Sequence, residues 1–220
     1  MSATTSRGAT LGAIAIALVV VLLGAQALAI YSAPPEPVAP TGAMLGHTGF
    51  EYLGGVRKFV AATLWNRLEP QFHQYGDGRP IDQRLEFLPT MRLVQTLDPQ
   101  FEQAYYNAAF LLARLGKYDQ ALGIAREGIA NNPDSGLLLA NYAQILMMQD
   151  PEKNLPEMVK QAEKGVAPTT TWANADDQFE GYGIFRAVFR LAGDTAAAEM
   201  MTEAQKRLAE QGAKLGAERD

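Results

Sequence analysis

The sequence predicts an all-helical protein: a short stack of helix pairs behind one membrane-spanning helix. Three observations carry this. The stretch from Leu97 to about Ala162 repeats itself at a spacing of 34 residues. Elsewhere apolar residues recur at three- and four-residue steps, and no segment alternates with the period of two that a strand requires. Leu11 to Ile30 is a 20-residue apolar run interrupted only by Gln26.

The N-terminal run sets the location. It is long enough to cross a hydrocarbon core of about 30 Å. Arg7 precedes it, and the first basic residues after it are Arg57 and Lys58. The positive-inside tendency then puts residues 1–10 in the cytoplasm, 11–31 in a bacterial inner membrane as a signal anchor in contact with the lipid bilayer, and the rest on the extracytoplasmic side. The competing reading is a signal peptide cut after Ala25-Gln26-Ala27 or Ala27-Leu28-Ala29, which would export the domain untethered. The spanning length of the full run favours the anchor. Residues 32–48 follow as a linker. Pro34, Pro35, Pro37 and Pro40 bias it to an extended, semi-rigid form.

From Gly49 the chain turns helical. Phe50, Leu53, Val56, Val60 and Leu64 form one stripe that continues through Trp65 and Leu68. Gly76-Asp77-Gly78-Arg79-Pro80 breaks the helix. A second helix is expected from about Gln83 to Thr96, with Pro89 kinking it or delaying its start. Gly165 to Asn174 reads as a loop. The last helix starts after Asp194 as N-cap and frays near Gly212, leaving 213–220 as a tail. The helical domain therefore spans 49–212, with about four helix pairs.

The 34-residue spacing pairs Pro99 with Pro133, Tyr105 with Leu139, Ala109 with Ala143, Leu112 with Leu146 and Gly128 with Ala162. Large answers large and small answers small, although Ala108 with Tyr142 and Ala121 with Leu155 depart from that rule. A unit of this length cannot bury its apolar face alone and must stack on a copy of itself. In the segment from Tyr105 to Ala121, Tyr105 opens the first helix, Ala109 is small, Leu112 is large and apolar, Gly116 and Tyr118 form the hairpin, and Ala121 is small again. Gly128 and Pro133 close the copy. This pattern resembles the tetratricopeptide repeat. The next copy, Gly136 to about Pro168, carries Asp150-Pro151 in place of the hairpin glycine and tyrosine, so its turn is expected to be longer. A third, Tyr182 to Ala204, keeps Gly193 and Ala198 but has Thr195 where the aromatic belongs. Upstream, Phe87, Met91 and Val94 lie 34 residues before Ala121, Ala125 and Gly128. The resemblance implies a short α-solenoid from about Gly49 to Glu210 in which Ala109 and Ala121 let helix axes approach to about 8–10 Å.

The resemblance also implies a working surface. In the family the first helix of each repeat lines the concave side. Carried over by register, the groove positions are Gln103, Tyr106, Phe110 and Arg114, then Ala140, Gln144 and Met147, with Asn107 and Asn141 at equivalent places in successive copies. Asparagines there hydrogen-bond an extended ligand backbone in peptide-binding members, and a side-chain amide offers both donor and acceptor for that role. The same two residues also simply suit a helix surface. The basic residues that would clamp a terminal carboxylate are missing. Tyr106 stands where a lysine would precede Asn107, and Ile184 at the corresponding place in the third match, which argues against a C-terminal carboxylate ligand.

Chemistry has little footing. With a net charge of −5 and no basic cluster, a nucleic-acid partner is not expected. Cysteine is absent, which removes disulfides, thiolate nucleophiles and thiolate metal sites. The two histidines, His47 and His73, have no metal- or acid–base-type partner at helical spacing. Asp176, Asp177 and Glu180 lack the alternating ligands and turn glycine of a calcium loop, and a helix N-terminus that favours negative charge accounts for them. The methionine pairs Met147-Met148 and Met200-Met201 read as packing. No catalytic residue, metal ligand or cofactor is expected, and the chain is read as a non-enzyme. The expected function is protein–protein interaction: a membrane-tethered adaptor or assembly factor holding another polypeptide, or alternatively a permanent accessory subunit of a larger membrane complex.

Overall fold

A computed structural model describes residues 41–73 and 87–217, with side chains from 53–69 and 87–212. Its N-terminal unit comprises residues 1–50 and its second unit 51–220. Of the first, the described part is helical backbone from Thr41. The apolar run at 11–31, the tail at 1–10 and most of the linker lie outside the described residues. Among those described, no helix is long and apolar enough to cross a membrane.

Eight helices are described and no strand: α1 (Thr41–His73), α2 (Leu88–Leu97), α3 (Glu102–Arg114), α4 (Tyr118–Asn131), α5 (Gly136–Gln149), α6 (Pro151–Gly165), α7 (Ala175–Leu191) and α8 (Thr195–Ala217). The first begins at Thr41, inside the stretch expected to be linker, and the last runs past Gly212 to Ala217. Pro89 delays the second helix instead of kinking it. It sits in the first turn of α2, where its missing N–H costs nothing.

Three tight pairs, α3/α4, α5/α6 and α7/α8, stack so that the first helices α3, α5 and α7 are neighbours in order and each second helix also touches the next pair. The register explains the fit. Ala109, Ala121, Ala125, Ala143 and Ala162 are all fully buried. Gly128 is pressed on the Tyr105 side chain, where a Cβ would lie 2.9 Å from that of Tyr105. Gly116 and Gly193 turn the α3/α4 and α7/α8 hairpins at φ 73° and 78°, a backbone region that side chains resist. The middle hairpin is shorter than expected, not longer: Asp150 alone separates α5 from α6. Its carboxylate accepts from the Lys153 N–H (3.0 Å), while Asn154 Nδ2 donates to the Leu146 carbonyl (3.0 Å). One residue thus caps the second helix while a neighbouring amide closes the first, and no glycine is needed.

The core has two parts. Ala61, Trp65 and Leu68 of α1 interleave with Met91 and Val94 of α2 and Ala104 and Ala108 of α3. The larger part runs from Ala109 to Met201, and Leu88 and Ile124 touch both. At its centre α5 has ten of its 14 residues buried, so it is apolar on every side. Polar ties join successive elements. Gln95 Nε2 donates to the Ala104 carbonyl, Asn132 Nδ2 to the Pro99 carbonyl, and Gln205 Nε2 to the Phe179 carbonyl.

The loop before α7 is a structural part in its own right. Thr171 exchanges backbone hydrogen bonds with Asp134 (2.8 Å) and Gly136 (2.9 Å), forming a single parallel bridge between Ser135 and Thr171. That bridge delivers the Trp172 ring between Gly136 of α5 and Gly181 of α7, with its edge toward Tyr182 and Phe185.

Candidate partner-binding cleft

The first turns of α3, α5 and α7 converge on one face of the stack, and the C-terminal half of α1 lies across from them. Between them is an open cleft of about 410 Å³, within the size range of ligand-binding sites. Trp65 and Glu69 of α1, Gln103, Tyr106 and Asn107 of α3, Leu137 of α5, and Asn174, Asp176, Asp177 and Glu180 line it. Each wall has a local cause. Trp65 is held by a tilted contact with Phe101 at 5.3 Å. Asn174 caps α7 by accepting from the Asp177 N–H at 2.8 Å, and its Nδ2 donates to the Asp177 carboxylate at 2.9 Å. The Trp172 wedge sets where α7 stands against α5.

The expected groove residues divide into two groups. Gln103, Tyr106 and Asn107 line the cleft. Phe110 and Arg114 extend it as a stripe along α3: the Tyr106 and Phe110 rings stack at 6.1 Å and 5°, and the Arg114 guanidinium lies 6.0 Å from the Phe110 ring. Asn141, Gln144 and Met147 do not join them. Asn141 is 0% exposed, and Ala140 beside it is also buried. Gln144 and Met147 are half-buried, with Met147 packed on the larger core. The reason is topological: α5 is flanked by α3 and α7, which close over the positions that stay open on α3. A pair of equivalent asparagines presenting amides side by side is therefore not what the fold builds. Asn107 bonds the Gln103 carbonyl of its own helix at 2.9 Å, and neither amide atom of Asn141 has a hydrogen-bond partner.

Sequence reasoning passed over the cleft's acidic wall. Asp176 and Asp177 do lie in the first turn of α7, where negative charge suits the helix dipole. Together with Glu180 one turn further along α7, and with Glu69 of α1, they line the cleft, a grouping that depends on how the helices pack. Glu102, in the first turn of α3, accepts from the Ser135 hydroxyl at 2.7 Å. Burial raises its pKa, the Ser135 bond lowers it, and the negative charge of Asp177 raises it again. Asp177 is likewise raised, first by burial, against the lowering bond from Asn174, with Asp176 adding to the rise. Among the described residues lining the cleft none is Lys or Arg.

No protein-family model and no curated protein sequence matches the chain. Among solved structures it is similar to one described as "MamA RS-1 ArsTM double mutant", at 13% identity and a TM-score of 0.45, over 73% of this chain and 96% of that one.

Proposed function

We propose that this protein is a non-catalytic adaptor that holds a polypeptide segment of a partner against the face built by its first helices. The cleft carries the reading. It is open, of ligand-binding size, and continued by the Tyr106–Phe110–Arg114 stripe into a track along α3. Aromatic anchors beside polar groups are the composition in which binding energy concentrates. In the same reading residues 11–31 anchor the protein in a bacterial inner membrane, with the helical domain on the extracytoplasmic side. The test is site-specific photocrosslinking in membranes. A photoreactive amino acid at Gln103 should capture one partner, while the same group at exposed Glu163 on α6 should not. Equal capture at both positions would overturn the proposal.

A second reading, a permanent accessory subunit, is favoured by α1. There Leu53, Val56, Phe59 and Val60 are exposed, Phe59 by 72%. Apolar side chains recurring on a helix in this way mark an interface. If they bury in a larger assembly, Phe59→Ser should release the protein from a complex that survives high salt.

A further inference from the structure

We infer that the outward face of α1 docks on the same face of a second copy of this chain, the two helices running parallel and in register. This face is the one that favours the accessory-subunit reading, here given an occupant, and its pairing rests on the reading of residues 11–31 as a membrane anchor.

The exposed part of α1 is turned inside out. Leu53, Val56, Phe59 and Val60 are exposed, the first three by half or more. The cations among them are tied to the protein itself: Arg57 Nη2 donates to the Thr96 carbonyl at 2.6 Å, and Lys58 Nζ to Gln100 Oε1 at 3.0 Å. One turn further on, Ala61, Trp65 and Leu68 fill the core. A helix that only forms an outer layer turns its charges to water and its apolar stripe to the core. This one buries one apolar face and leaves a second uncovered.

The spacing fits a helix as partner. Leu53, Val56 and Val60 step by three and four. In the sequence the same alternation continues upstream through Gly49, Gly46 and Gly42 and downstream to Thr63. A seven-residue spacing held over about three heptads is the seam along which two helices pack. A lipid surface fits less well. A helix lying in a membrane interface keeps lysine or arginine on its polar face for the headgroups, whereas Arg57 and Lys58 are engaged by α2 and the connection after it.

The composition of the seam fits a copy of itself. The charged residues between Thr41 and Thr63 are Glu51, Arg57 and Lys58, and none stands on the seam, so two copies meet there without opposing like charges. Parallel, in-register pairing sets Phe59 of one copy beside Leu64 of the other. These are flanking positions at which charged pairs ordinarily select a different partner, and here both residues are apolar. The anchor supplies the orientation. Two copies leaving one membrane through the same linker present α1 in one direction, and confinement to a plane raises their effective concentration.

The protein has no cysteine, so single cysteines placed in the full-length chain report the contact in membranes. Under mild oxidation Leu53→Cys, Val56→Cys and Val60→Cys should each give a disulfide-linked dimer, and Lys58→Cys, off the seam, should not. In detergent, Val56→Glu should shift the mass measured by light scattering from two chains to one, with helical content retained. Cross-linking at Lys58→Cys as strong as on the seam would reduce the contact to collision and overturn the inference. So would the absence of cross-linking on the seam, or an unmodified protein that is monomeric. Quenching of a fluorophore on Val56→Cys by nitroxide-labelled lipid, with no dimer, would overturn it in favour of the bilayer. Release of Phe59→Ser from a salt-stable complex that holds one copy of this chain would overturn it and leave the accessory-subunit reading standing. A mature chain cut at Leu28 or Ile30 that still cross-links on the seam would support the pairing and remove only the anchor.

Discussion

The indole ring of Trp172 fills the space where a Cβ on Gly181 would stand. Trp172 comes from the loop before α7 and Gly181 from α7 itself, so the loop spaces its own helix from α5. Gly136 meets the same ring from the other side. The position of the acidic wall in the cleft follows from this one wedge.

Gly181→Ala sets two effects against each other. Alanine in mid-helix gains about 0.5–1 kcal/mol over glycine, while overpacking a rigid ring costs about 1–3 kcal/mol. The ring wins, so thermal unfolding should show a net loss of roughly 1–2 kcal/mol. Gly123→Ala in α4, where a Cβ meets nothing within 4 Å, should instead stabilise by about 0.5–1 kcal/mol.

Ala121→Leu tests the repeat register in its tight copy. Ala121 is fully buried where α4 leaves the Gly116 hairpin and turns back along α3. Leucine should force the helices apart and cost about 1–3 kcal/mol in a denaturant titration. Its register mate Leu155 is only half-buried and shows that a looser copy accepts bulk.

Much of this architecture is legible along the chain, because helices announce themselves locally. Gly116, Gly193, Asp194 and Pro89 mark helix ends through backbone chemistry that depends on near neighbours alone. The tight pairs follow from small residues recurring at 34. The cleft is less legible. Gln103, Tyr106 and Asn107 carry over by register, but register treats every repeat as equally open, and Asn141 is closed because α7 covers α5. The acidic wall is written in the sequence only as a short run, and its place opposite Tyr106 depends on the Trp172 wedge. Asp150 misleads for a related reason. Absence of a hairpin glycine suggests a long turn, whereas an aspartate that caps the next helix makes a turn of one residue.

The proposed membrane anchor makes a separate prediction. N-terminal sequencing of the mature protein should find the chain uncut, with the helical domain reached by protease only once the outer layers are removed. A mature start at Leu28 or Ile30 would show cleavage and rule out the anchor.

Glu102 predicts a pH dependence. Its pKa is raised in the folded state, chiefly by burial and also by Asp177 facing it from α7, while the Ser135 hydroxyl lowers it. The folded protein therefore holds the proton more tightly than the unfolded chain, whose glutamates titrate near 4.3. The stability that this supplies is fully present below that value and is lost as pH rises through the raised one. Glu102→Gln keeps an acceptor for Ser135 without the charge. Its melting temperature relative to the unmodified protein should rise across that window and then level off. A difference that does not change with pH would remove Glu102 as the cause.

Tyr106→Ala or Phe110→Ala should each weaken partner capture by about 1–3 kcal/mol without changing helical content. Asn141 should behave differently, and the contrast tells lining from packing. Its amide is fully buried with neither atom hydrogen-bonded, so the fold bears the cost of removing it from water, about 1–3 kcal/mol for an unpaired polar group. Leucine has the same branching with no polar atom. Asn141→Leu should therefore leave partner capture intact and raise the unfolding free energy by roughly 1 kcal/mol, less if the larger methyl groups strain their neighbours. Loss of capture in this variant with stability unchanged would mean that Asn141 reaches the ligand after all, through an opening between α5 and α7 in the bound state.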